Sequence, residues 1–129
     1  MNISAIALTA ILGWSGYSRQ CFVVSRVSVL ATRSAECPVL SQVQDDIRWA
    51  YYASCAKYGS LGGLTVLYTD GAPCRQIGLD GCAFGNLVTI SIEAADTRLT
   101  LRHELGHILN PGLEEHQDVV FWYIIERGW

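Results

Sequence analysis

In the run His103-Glu104-Leu105-Gly106-His107, two imidazoles and a carboxylate recur at the spacing that builds a zinc site. On a helix each residue advances about 100°, so His103 and His107 lie within about 40° of each other and present two ring nitrogens to one point. Glu104, about 100° from His103, can reach a water at that point without being a third ligand. The pattern therefore supplies two Zn2+ ligands and a general base, the parts needed for hydrolysis by an activated water. Leu101, Leu105, Ile108 and Leu109 gather on the opposite side, giving the helix a core face and a histidine face. A histidine pair on a half-buried helix can also be hydrogen-bonded structure without metal. With so few histidines in the chain, however, H-E-x-x-H arises in only about a few per thousand shuffled sequences, so chance explains it poorly.

A catalytic zinc needs a third protein ligand beside its water. His116, the remaining histidine, stands just past the Pro111-Gly112 break, where the chain can turn back toward the helix, and it is the first choice. Glu114, Glu115 and Asp118 are nearby rivals. Glu126 is another, following His107 at close to the distance from which thermolysin-like enzymes supply a helical glutamate.

The elements that must position these groups can be read from periodicity. The helical spacing runs from about Glu93 to Leu109, and Pro111-Gly112 ends it. Before it, Leu87-Val88-Thr89-Ile90-Ser91-Ile92 alternates with period two, the clearest strand in the chain. Residues Ala72 to Asn86 carry several glycines and two cysteines and read as an irregular loop, which a Cys74 to Cys82 pairing could close into a ring. Leu64 to Tyr68, between Gly62-Gly63 and Asp70-Gly71, is a short strand. After Cys37-Pro38, apolar residues at Val39, Leu40, Val43, Ile47, Ala50 and Tyr51 fit an amphipathic helix that stops near Gly59. Phe22 to Ala31, rich in valine and imperfectly alternating, is one further strand.

With 129 residues the chain has room for one domain and one sizeable core. Half of its residues are apolar and 16% are charged, which points to a folded unit rather than a disordered tail. A net charge of -3, with the arginines scattered, gives no reason to expect nucleic acid as a partner. The apolar stretch Ile3 to Trp14 is too short to span a bilayer as a helix, so no stable membrane span is expected. Residues 1–20 read either as a signal-like segment, implying a secreted or periplasmic protein, or as a first buried element, with residues 21–129 as the single domain. Five cysteines, none at C-x-x-C spacing, look structural and leave at least one without an internal partner. A monomer is expected.

The segment His103 to Leu109 resembles the active-site helix of metzincin metallopeptidases, particularly the small matrixin-like ones. That resemblance implies an α+β, minimal zincin-like domain: a small twisted sheet whose edge strand lies beside a long backing helix and the active-site helix. It implies that Val39 to Tyr58 is the backing helix and that Leu87 to Ile92 is the edge strand, with Leu87, Val88, Thr89 and Ile90 receiving an extended peptide or protein substrate. The chain departs from the family downstream. Asn110 stands at the position of a glycine, Leu113 where a third histidine belongs, and no methionine follows Met1 to form the turn beneath the metal. Asparagine can adopt the left-handed backbone that the glycine provides. Leu113 cannot ligate, and Val120, within Asp118 to Trp122, stands in the region of the methionine turn.

Zinc-dependent peptide-bond hydrolysis is thus the expected function, with Zn2+ on His103, His107 and His116 and with Glu104 as base. The alternative is a degenerate zincin-fold module that holds a peptide or protein without cleaving it. The displaced third histidine favours that alternative, and the retained Glu104 opposes it.

Overall fold

The computed structural model describes residues 18–70, 79–112 and 118–127. Three runs rich in β-branched and apolar residues form the centre of the sheet: β2 (Val27–Ala31), β3 (Thr65–Thr69) and β5 (Leu87–Ser91). Residues of β3 and β5 are buried along their whole length, as parallel strands covered on both faces require. Two further strands, β1 (Arg19–Val24) and β4 (Gly81–Phe84), complete a five-stranded sheet in the order β1-β2-β3-β5-β4. The β2-β3 and β3-β5 pairs are parallel, while β1-β2 and β4-β5 are antiparallel hairpins. Val66 opposes Val88, which in turn opposes Ala83.

Three helices accompany the sheet among the described residues: α1 (Leu40–Ser54), α2 (Thr97–Leu109) and α3 (Val119–Arg127). Val43, Ile47, Ala50 and Tyr51 of α1, Leu101 and Leu105 of α2, and Trp122 and Ile125 of α3 share one core with Val66, Tyr68, Val88 and Ile90 of the sheet. The architecture is mixed α+β, as the sequence indicated. No helix of the described residues is long and apolar enough to cross a membrane.

Several boundaries differ from expectation for identifiable reasons. The strand expected over Phe22 to Ala31 is a hairpin, because Ser25 and Arg26 both take positive φ (49° and 63°) and reverse the chain. Tertiary contact holds that turn: the Arg26 carbonyl accepts from Gly63 N at 3.0 Å. A Cβ on Gly62 would also lie 2.9 Å from the Arg26 guanidinium. The long helix ends at Ser54 rather than near Gly59, since Cys55 is left-handed at φ 51°. The next helix starts at Thr97, not Glu93, because Asp96 caps it by accepting from Leu99 N at 3.0 Å. Asn110 does not adopt the left-handed state (φ -133°); its side chain instead donates to Gly106 O at 3.0 Å and to Ser54 Oγ at 2.9 Å, tying α2 to α1.

The strand Leu87 to Ile92 is not the sheet edge. It is paired on both sides, with β3 and with β4, so Leu87, Val88, Thr89 and Ile90 have neither free backbone groups nor exposed side chains to offer a substrate. The edge is β4, within the segment read as an irregular loop. Disulfide Cys21–Cys37 joins β1 to the approach of α1, and Cys55 is free. Cys82 is disulfide-bonded as well, while Cys74 lies outside the described residues. β1 begins at Arg19, so the sheet takes in the last two residues of the segment expected to precede the domain; residues 1–17 lie outside the described ones.

Candidate metal centre

Helix α2 brings His103 and His107 together as its period requires. Their Nε2 atoms are 3.0 Å apart and their rings meet edge to face at 4.7 Å. Two nitrogens each about 2.0–2.1 Å from a tetrahedral zinc lie about 3.3 Å apart, so the pair is close to ligating separation through the same ring atom on each side. A neutral pair can also meet this distance with a single N–H···N hydrogen bond, the tautomers deciding which ring donates.

Trp122 of α3 forms the floor beneath the pair. Its ring centroid is 4.6 Å from that of each imidazole, with interplanar angles of 34° and 45°. This contact depends on Gly106, one turn along the same helix, because a Cβ there would stand 2.8 Å from the Trp122 ring and 3.0 Å from Ile125. The glycine inside the motif is therefore a close-packing position. Val120, expected in the region beneath the metal, is exposed at 69% on the other side of α3, and the apolar base is Trp122 two residues later.

Glu104 is buried, with 7% of its surface exposed. Its neighbour is the edge strand: a Cβ on Gly81 would lie 2.8 Å from the Thr100 methyl and 3.3 Å from Glu104 Cγ. The absence of a side chain at Gly81 lets β4 press against α2 at the carboxylate. The signal for this strand was present in the sequence, since Gly85-Asn86 between Cys82-Ala83-Phe84 and Leu87-Val88-Thr89 is a two-residue hairpin turn, with Gly85 at φ 59°.

Glu126 is brought to the site by α3. Its Oε2 lies 3.6 Å from His103 Nδ1, on the ring edge away from the facing Nε2 atoms. This is the side of the ring on which outer carboxylates stand behind metal-ligating histidines. His103, Val119, Trp122, Tyr123, Glu126 and Arg127 line a cavity of about 430 Å³. Among the described residues no three His, Cys, Asp or Glu side chains are grouped so as to hold a metal ion by themselves. His116, Glu114 and Glu115 lie outside the described residues. Asp118 is engaged at the start of α3, where its Oδ1 accepts from Phe121 N at 3.0 Å.

Compared with known proteins, the chain matches no family model, no curated protein and no solved structure.

Proposed function

We propose that the chain is a zinc-dependent peptide hydrolase whose metal is held by His103 and His107. The observation that carries this reading is the approach of the two Nε2 atoms to 3.0 Å on a helix that also holds a buried carboxylate, Glu104, one residue beyond the first histidine. The donor set suits the metal: two imidazoles facing one point, with the Glu126 carboxylate behind one of them, favour a divalent cation of borderline softness. His116 is the proposed third ligand, consistent with Glu126 lying on the Nδ1 side of His103 rather than on the Nε2 side. Zinc, when bound, supplies a Lewis acid that acidifies water and polarises the scissile carbonyl.

The protein's own groups do the rest. Glu104 accepts the proton of the attacking water and delivers it to the leaving amine; it is buried, with Gly81 of β4 pressed against it. An extended peptide adds alongside β4, the sheet edge nearest Glu104, with main-chain hydrogen bonds giving affinity. A resemblance to metzincins remains part of the proposal, with Trp122 taking the place of the methionine turn as the apolar base. The disulfide Cys21–Cys37 accords with an oxidising compartment.

The test is zinc content and peptide cleavage for the wild type and for Glu104→Gln. Bound zinc in both, with cleavage lost by at least about a hundredfold in the variant, is the expected result. Zinc bound but every peptide left intact by the wild type points to the non-hydrolytic binding module. Absence of zinc from the wild type after refolding with the metal ends the metal reading altogether.

A further inference from the structure

The helix that carries the two histidines also carries Arg98 and Arg102, and both reach a buried carboxylate on α1. Asp46, 1% exposed, accepts from Arg98 Nη2 at 3.0 Å and Nε at 3.2 Å, and from Arg102 Nε at 2.7 Å. Hydrogen bonding to Asp46 pushes the Arg98 pKa up, overcoming the cost of its partial burial. One carboxylate cannot satisfy two guanidiniums. Among the described residues the Nη groups of Arg102 and the Nη1 group of Arg98 donate to no protein acceptor, although the Arg102 side chain is only 14% exposed.

These arginines open into a second cavity, of about 830 Å³, which Arg48 and Arg127 also line. One wall is aromatic, with Trp49 and Tyr52 stacked at 5.4 Å and 29°. Asp45 on the rim pairs with the exposed Arg48 at 3.2 Å. Four guanidiniums against Asp45, Asp46 and Asp96, whose charge also reaches Arg98, leave an excess of one positive charge in a chain whose net charge is -3. Arg127 stacks on the Tyr123 ring at 5.0 Å and lines both this groove and the cavity beside His103, so the two are neighbours. Arg102 and His103 are consecutive on α2, facing one into each.

We infer that this groove binds a carboxylate of the peptide substrate, either a C-terminal carboxylate or an Asp or Glu side chain. Planar guanidiniums with paired N–H donors match planar carboxylates, and the half-buried setting of Arg102 strengthens the contact relative to a fully solvated pair. The Trp49-Tyr52 wall gives the adjoining apolar part of the peptide a surface to lie on. This assignment rests on the hydrolase reading for the word substrate, but binding can be measured apart from cleavage.

The probe is a short alanine peptide bearing an uncharged N-terminal dye, in two matched pairs: C-terminal acid against amide, and a central Asp against Asn with both ends blocked. Fluorescence polarisation on the intact protein reports binding in its initial amplitude and cleavage in its later decay, so the two readings fail separately. At least one acidic peptide should bind about tenfold more tightly than its neutral match, and the advantage should shrink as NaCl rises from about 0.05 to about 0.5 M. Which pair shows the advantage distinguishes the two carboxylate sources. Arg48→Gln combined with Arg127→Gln removes two of the four guanidiniums and should cut the preference by about threefold or more; these side chains lie outside the Asp46 cluster, so the fold is retained. Equal binding of acidic and neutral peptides in both pairs, or a preference left unchanged by the double substitution, overturns the inference, whether or not the peptides are cleaved.

Discussion

At the scale of single residues, the site depends on close approaches that a change of one carbon would disturb. Gly106→Ala places a methyl 2.8 Å from the Trp122 ring, and the indole lies against both imidazoles. Overpacking of this kind costs about 1–3 kcal/mol, and here the strain falls on the floor of the histidine pair. Thermal or urea unfolding should record that loss, and zinc titration should record weaker binding in the same variant. A Gly106→Ala protein as stable as the wild type would mean that α3 does not pack on α2 as described. Glu126→Gln removes the carboxylate behind His103 without changing its size. Loss of such an outer partner should weaken zinc affinity about 10–100-fold while leaving Glu104 in place. A larger loss, with no binding left, would instead make Glu126 a ligand.

At the scale of elements, α1 and α2 are joined by charge as well as by apolar packing. Asp46 of α1 is buried between Arg98 and Arg102 of α2, and removing one partner of a buried pair strands the other. Asp46→Asn should therefore destabilise the fold by about 3–5 kcal/mol in urea unfolding, more than the loss of the exposed Arg48-Asp45 pair, which contributes about 1 kcal/mol or less. Equal effects of the two changes would show that the Asp46 cluster does not hold the helices together. The helix bearing the motif was legible in the sequence because its period and its Pro-Gly stop agree, while its start waited on the Asp96 cap. The edge strand was not read, because β4 is four residues long and its segment is dominated by turn residues. Its pairing with β5 and its contact with α2 supply what its composition does not.

At the scale of the whole molecule, the fold carries a titratable group at its centre. Tyr68 of β3 is buried, and burial together with the nearby negative charge of Asp46 pushes its pKa well above the ordinary 10.0. A raised pKa means that the folded state holds the proton more tightly than the unfolded chain. The stabilisation is therefore complete below about pH 10 and is lost as the pH rises beyond it. Urea unfolding from neutral pH to about pH 11 should show stability falling on the alkaline side, with a shallower fall in Tyr68→Phe. The same slope in both proteins would place the alkaline sensitivity elsewhere.

The sequence by itself determined that His103 and His107 would face one point with Glu104 beside them, because helix geometry is local and the residue types are few. It also determined the mixed α+β class, since period two and period 3.6 are written into successive segments. Only the tertiary structure decided that Leu87 to Ser91 lies inside the sheet, that Trp122 rather than Val120 underlies the histidines, and that Glu126 comes to the Nδ1 side of His103. It also decided that Asp46 and two arginines meet 52 and 56 residues apart. Apart from the short β4-β5 hairpin, whose Gly85-Asn86 turn is local, the deciding contacts of strand order, helix packing and buried ion pairs join segments remote in the chain and leave no mark in the spacing of neighbouring residues.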